Sequence, residues 1–206
     1  MTPPLICLVT GDRGREQQTL ELIAAAVRAG VELIQIRERR FDDRALAALT
    51  RRAVGLARHS ASRIIINERA DIALSAGASG VHLRGSSFAA WRVRAVAPPG
   101  FLIGRSVHTL SEATAVEASG GCDYFLFGTV FPSSSKPSNH AIAGLEALRA
   151  VCGAVRLPVL AVGGISVETA RPVAEAGASG IAGISVFETA DSMSAIVSTL
   201  RRQFDT

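Results

Sequence analysis

Aromatic side chains make up only 5% of the 206 residues, with a single Trp and a single Tyr. Basic stripes with interleaved aromatics are missing, so no nucleic-acid partner is expected. Charge of one sign does not accumulate either. The 22 Lys and Arg residues are interspersed with 18 Asp and Glu, for a net charge of +4, and no run of five like charges occurs. No stretch reaches the roughly 18 apolar residues that a spanning helix needs, so no membrane partner is expected. Met1–Val9 has neither a basic segment nor a long apolar run, and the expected location is the cytoplasm. Cysteine is limited to Cys7, Cys122 and Cys152, an odd number without Cys-x-x-Cys spacing. These are read as buried free thiols in a reducing compartment. None of the four histidines pairs with another at metal-ligand spacing, and no metal site or cofactor is expected from them.

What is abundant is small and branched apolar residue. Hydrophobic residues reach 48%, dominated by Ala, Val, Ile and Leu, a composition suited to parallel strands wrapped by helices. Short apolar runs alternate with helical patterns from end to end. Strands are predicted at Leu5–Thr10, Leu33–Arg37, Arg63–Asn67, Gly80–Leu83, Leu102–Ser106, Tyr124–Phe127, Val159–Val162 and Gly180–Ile184. Helical spacing falls between them, as at Thr19–Arg28 and Leu46–Arg58. Ala-Gly-Ala-Ser-Gly occurs at Ala76–Gly80 and again at Ala176–Gly180, with Ala29-Gly30-Val31 in a similar place. Each first Gly can end a helix just before a strand. Repeated βα units argue for an α/β protein, a single (β/α)8 TIM barrel over residues 1–206, with an open doubly wound sheet as the alternative.

In a barrel, chemistry sits where strands end and helices begin. The seventh strand ends Val162-Gly163-Gly164-Ile165-Ser166, where paired glycines admit a ligand close to the backbone and Ser166 can cap a helix whose free N–H groups attract anions. The eighth ends Gly183-Ile184-Ser185. Together these loops form the expected phosphate site. The second ends Gln35-Ile36-Arg37-Glu38-Arg39, and alternation puts Gln35, Arg37 and Arg39 on one side. Two guanidiniums there suit a second anion, a carboxylate or a diphosphate. The fifth ends Gly104-Arg105-Ser106-Val107-His108 and runs into Thr109-Leu110-Ser111-Glu112, a capping-box pattern that sets His108 and Ser106 on the same rim. An imidazole titrating near neutrality can take and return a proton. Asn67 ends the third strand, followed by Glu68, a lone carboxylate. His82 lies within the fourth strand and is read as packed, and the role of His140 is left open. The polar loop 132–139 is a candidate lid.

Taken in order, these junctions resemble the thiamine phosphate synthase and thiazole tautomerase family. The strings are Gln35-Ile36-Arg37-Glu38-Arg39, Ile66-Asn67-Glu68-Arg69-Ala70-Asp71, Gly80-Val81-His82-Leu83, Ile103–His108, Asp123-Tyr124 through Phe131-Pro132, and Val162-Gly163-Gly164-Ile165. The resemblance implies one of two chemistries. The synthase joins a pyrimidine diphosphate to a thiazole phosphate, with magnesium on two aspartates. Here Glu68 holds the first of those positions, and Ser86-Ser87 occupies the stretch of the second. The expected lysine after Arg37 is Arg39, and a Thr-x-Thr-Lys loop becomes Ser133-Ser134-Ser135-Lys136. The tautomerase needs no metal and aromatises a carboxylated thiazole phosphate, with a histidine matching His108 as its acid–base group. The Ile103–His108 string looks closer to that branch, so the expectation is a thiazole tautomerase. Its phosphate would sit on Gly163, Gly164, Ile184 and Ser185. Arg37, Arg39, Gln35 and Lys136 would orient the rest, and Asn67, Ser106, Ser133 and Ser135 would line the pocket. Magnesium would enter only in the synthase alternative, and a non-catalytic phosphate-ligand sensor is the remaining one. A thiazole phosphate is the expected small-molecule partner, and a homodimer is implied by the resemblance alone.

Overall fold

The strands are β1 (Leu5–Val9), β2 (Leu33–Ile36), β3 (Arg63–Asn67), β4 (Gly80–Leu83), β5 (Leu102–Val107), β6 (Tyr124–Gly128), β7 (Val159–Val162) and β8 (Gly180–Gly183). They pair in parallel and in sequence order, and β1 closes on β8 through Leu5↔Gly180 to Leu8↔Gly183. This closure excludes the open sheet. The structure, a computed structural model, describes residues 4–12, 14–133, 141–188 and 192–205. Between the strands lie α1 (Glu16–Arg28), α2 (Asp43–Ala57), α3 (Ala70–Ser75), α4 (Ala90–Arg94), α5 (Leu110–Ser119), α6 (Gly144–Ala154) and α7 (Val167–Glu175). After β8 come the single turn α8 (Ser185–Glu188) and α9 (Met193–Arg202). Every sequence-predicted strand is present, with ends shifted by no more than about a residue.

Successive strand residues point to opposite sides, and here both sides are buried. One set, including Leu5, Cys7, Leu33, Ile65, Tyr124, Leu126 and Leu160, fills the barrel. The other, including Ile6, Leu8, Ile34, Ile64, Ile66, Val81, Ile103 and Phe125, meets the helices. That is why the strands read as continuous apolar runs. Cys7 is buried, as expected, whereas Cys122 and Cys152 are only partly so, and all three are free thiols.

The turns into the strands follow the repeat. Gly30, Gly77 and Gly177 adopt φ of +75°, +74° and +91°, just beyond the ends of α1, α3 and α7. The opposite junctions are set by caps. Asp42 accepts from the Ala45 N–H, Thr109 from the Glu112 N–H, and Ser166 from the Thr169 N–H. Such caps typically contribute about 1 kcal/mol each and fix where a strand end becomes a helix.

Candidate active site

At the end of β7 the chain turns through Gly163 (φ +97°) and Gly164 (φ +65°). A Cβ on Gly163 would lie 2.5 Å from Thr129 Cγ2, and one on Gly164 would lie 2.4 Å from the Pro132 carbonyl oxygen. Only glycine satisfies both the dihedral and the space, so bare main chain faces this corner of the rim. Ile184 packs against the interior core, and Ser185 opens α8. Ser166 caps α7 as expected. Ser166 and Thr169 cap one another reciprocally, and the Ser166 hydroxyl donates to Glu168 Oε2 at 2.6 Å. A carboxylate therefore already stands in the helix's first turn and complements its dipole. The anion-receptive part of this corner is the glycine turn and not the α7 terminus.

Across the rim, β1 to β4 end in side-chain chemistry. Regular alternation along β2 stops at Ile36, so the trio Gln35, Arg37 and Arg39 does not form one row. Gln35 is buried in the barrel, where its Nε2 donates to Asn67 Oδ1 at 3.0 Å. Arg37 is half-buried. Its N–H donates to the Thr10 hydroxyl at 2.8 Å, and its guanidinium makes no hydrogen bond among the described residues. Burial first, then the neighbouring charges of Arg39 and Arg84, hold Arg37 below the ordinary arginine pKa. Arg39 sits in the turn and reaches sideways to Asp12. Asp12 Oδ1 accepts from the Arg39 N–H at 2.6 Å, and Oδ2 accepts from Nε at 2.8 Å.

The same arrangement recurs two strands along. Glu68 Oε1 accepts from the Arg84 N–H at 2.8 Å and from the Ser87 hydroxyl, and Oε2 accepts from Arg84 Nε at 2.7 Å. Burial raises both carboxyl pKa values. The hydrogen bonds from Arg39 to Asp12, and from Ser87 and Arg84 to Glu68, outweigh that and leave both lowered. Asp12 (φ +61°) and Glu68 (φ +68°) are the two non-glycine residues with positive φ among the described residues. Each such conformation costs about 1–3 kcal/mol. The ion pairs they make are exposed on the arginine side, 65% for both Arg39 and Arg84, and are worth about 0–1 kcal/mol each. Each carboxylate also accepts a main-chain N–H, a hydrogen bond to a charged group of about 1.5–3 kcal/mol, which is of the size of the strain it offsets.

Near the middle, His82 is buried, and its Nε2 lies 2.9 Å from the Ser106 hydroxyl. His82 Nδ1, Gln35 Oε1 and Tyr124 Oη are buried with no hydrogen-bond partner among the described residues. His108 is exposed, and its Nδ1–H donates to the Gly128 carbonyl at 2.5 Å. Thr109 caps α5 as predicted, but the Glu112 carboxylate takes the N–H of His108 at 2.8 Å instead of that of Thr109. The box thus closes on the histidine itself. Ser133 is part-buried beside Pro132, while Ser135, Lys136, His140 and most of the candidate lid lie outside the described residues.

Sequence reasoning passed over Thr10, Asp12 and Arg84. Arg84 stands one residue past β4, so the strand-end rule applied there would have found it.

A divalent cation does not fit the positions that the synthase resemblance assigns to it. Glu68 and Ser87 are in contact, but both carboxylate oxygens already accept hydrogen bonds, and the second position offers a hydroxyl in place of a carboxylate. No group of three or more His, Cys, Asp or Glu able to hold a metal occurs among the described residues. Magnesium favours hard oxygen ligands, ordinarily including one or two carboxylates.

The family model for thiamine monophosphate synthase matches residues 6–187. The chain belongs to the thiamine monophosphate synthase family. It is 36% identical over 205 residues to a thiamine-phosphate synthase of Chlorobium luteolum, covering 96% of this chain and 95% of that one. It is 35% identical to a thiamine-phosphate synthase of Moorella thermoacetica, covering 96% and 93%. Among solved structures it superposes on a thiamine phosphate pyrophosphorylase from Pyrococcus furiosus with a TM-score of 0.85 at 30% identity, covering 98% and 95%. A 3-hexulose-6-phosphate synthase, at 22% identity and a TM-score of 0.72, shares the barrel fold.

These relatives overturn the expected thiazole tautomerase. Relatives at 35–36% identity over most of the chain carry the synthase name. The error has a physical source. Ile103–His108 describes how β5 delivers a histidine to the rim, and a strand-end string of that kind does not specify the reaction. No helix among the described residues is long and apolar enough to cross a membrane.

Proposed function

We propose that this chain is a thiamine-phosphate synthase, joining a pyrimidine diphosphate to a thiazole phosphate. The observation that carries the reading is the pair of unlike anion-receptive corners on one barrel rim, glycine turn at β7 and arginine cluster at β2 to β4. A reaction between a phosphate ester and a diphosphate ester needs both. In the proposed step the carbon–oxygen bond to the diphosphate breaks and the oxygen keeps the electron pair. The thiazole ring nitrogen supplies the pair for the new carbon–nitrogen bond, and diphosphate leaves.

The roles follow from the chemistry of each group. Gly163, Gly164, Ile184 and Ser185 would receive the thiazole phosphate through main-chain N–H groups. Arg37 and Arg39, with Lys136, would hold the diphosphate as its charge grows on leaving. Gln35 and Asn67 would orient the pyrimidine ring, with Ser106, Ser133 and Ser135 lining the pocket. His108, held through Nδ1, would position its ring against substrate; no proton changes hands in the bond exchange. The test is diphosphate release by the purified chain supplied with both substrates, and with each one omitted. Release that needs both substrates supports the reading, and no release under any metal condition overturns it.

A further inference from the structure

We infer that this barrel grips the diphosphate of its substrate with three guanidiniums, Arg37, Arg39 and Arg84, and without a divalent cation. The inference rests on the synthase reading for the identity of the anion.

Three observations carry it. First, the carboxylate that would ligate a cation is already taken. Glu68 accepts from Ser87 and from two N–H groups of Arg84, so a guanidinium stands on the oxygens a metal would use. Second, the device is duplicated. Asp12 binds Arg39 as Glu68 binds Arg84, each carboxylate taking the arginine's main-chain N–H and its Nε–H. That grip fixes the inner edge of each guanidinium. Among the described residues no hydrogen bond is made by the terminal nitrogens of either arginine, which leaves each outer edge for a ligand. Third, Arg37 leaves the end of β2 two positions before Arg39 and feels the charges of both Arg39 and Arg84, and its half-buried guanidinium makes no hydrogen bond among the described residues.

The chemistry agrees. A planar guanidinium offers paired N–H groups that match two phosphate oxygens, and it stays charged. Three of them can donate paired hydrogen bonds to a leaving diphosphate without a hard-oxygen cage, with the Arg37 charge left unbalanced by the two carboxylates that offset Arg39 and Arg84. The left-handed backbone at Asp12 and Glu68 is then the local cost of aiming two arginines.

The test is calorimetric titration of the full chain with inorganic pyrophosphate, once in excess EDTA and once in excess magnesium. Binding at least as tight in EDTA as in magnesium is expected. Arg84→Gln should weaken binding in EDTA by about tenfold to a hundredfold, the worth of a charge-assisted hydrogen bond pair. Arg84→Lys should restore only part of it, because an ammonium lacks the fork. Glu68→Gln, which loosens the tether but keeps the guanidinium, should cost less than Arg84→Gln. Binding seen only with magnesium, a larger loss in Glu68→Gln than in Arg84→Gln, or no binding in either buffer overturns the inference. The comparison of buffers needs no variant, so a misfolded mutant does not leave the question open. Product formation is followed on the same sample. Turnover only with magnesium sustains the synthase and defeats the cation-free grip. Pyrophosphate binding in EDTA with no product under any metal condition defeats the synthase and leaves the arginine site standing.

Discussion

The two corners of the rim solve one problem by different means. The β7 corner uses main chain: Gly163 and Gly164 clear space that any Cβ would fill. The β1 to β4 corner uses side chains: two strained carboxylates tether two arginines beside a third. Backbone N–H groups are rigid, cost little to organise and suit a phosphate that is held throughout a reaction. Guanidiniums carry full charge and suit a group whose negative charge increases as it leaves. The division of labour therefore follows the electrostatics of the proposed substrates.

The largest expected effect separates the corners directly. Gly164→Ala forces the turn against Pro132 at a positive φ, a distortion of about 1–3 kcal/mol or more, and should raise KM for thiazole phosphate by up to about a hundredfold. KM for the pyrimidine diphosphate should change far less, and steady-state kinetics with each substrate varied in turn reads the contrast. Arg37→Gln should do the converse, raising KM for the diphosphate substrate by about tenfold or more and sparing the other. Equal effects on both substrates from either variant would merge the two corners into one site.

A smaller effect concerns pH. Burial lowers the His82 pKa from 6.5 to about 3, so the folded protein keeps this imidazole neutral while the unfolded chain protonates it. A depressed pKa gives stability that is present above about 6.5 and lost as pH falls toward 3. Asp12 and Glu68 add to the acid loss only below their ordinary values of 3.8 and 4.5, as protonation of the two carboxylates releases Arg39 and Arg84. Urea unfolding across this range should show two stages, and His82→Gln should flatten the upper one. An unchanged slope between pH 6.5 and 4.5 in that variant would remove His82 as its cause. The smallest effect is expected at His108. Removal of a proton shuttle typically costs about a hundredfold to ten-thousandfold, whereas a positioning role predicts a loss under about tenfold in kcat for His108→Asn. A drop in the larger range would return acid–base chemistry to that residue.

Much of the site was legible residue by residue. The glycine turn, Ser166 and Thr109 as caps, and Arg37 and Arg39 at a strand end all follow from local rules, because their conformations depend on neighbours within a few positions. The arginine tethers were not legible. Asp12 meets Arg39 across 27 positions and Glu68 meets Arg84 across 16, and nothing local to either partner announces the other. The capping box at Thr109 was read correctly as a cap, yet its glutamate closes on His108, a choice made by side-chain reach at the β5 rim.

By itself the sequence determined the barrel, since alternating apolar runs and helical periods with repeated helix-ending glycines leave few other arrangements of parallel strands. It also determined that a phosphate-friendly turn follows β7, because glycine's missing Cβ is a property of the residue. Only the tertiary structure decided that Glu68 is spent on Arg84 and Ser87, and so cannot be read as a waiting metal ligand. A carboxylate's chemistry is set by what reaches it, and the parallel pairing of β1 with β2 and of β3 with β4 is what brings each carboxylate to its arginine at the rim.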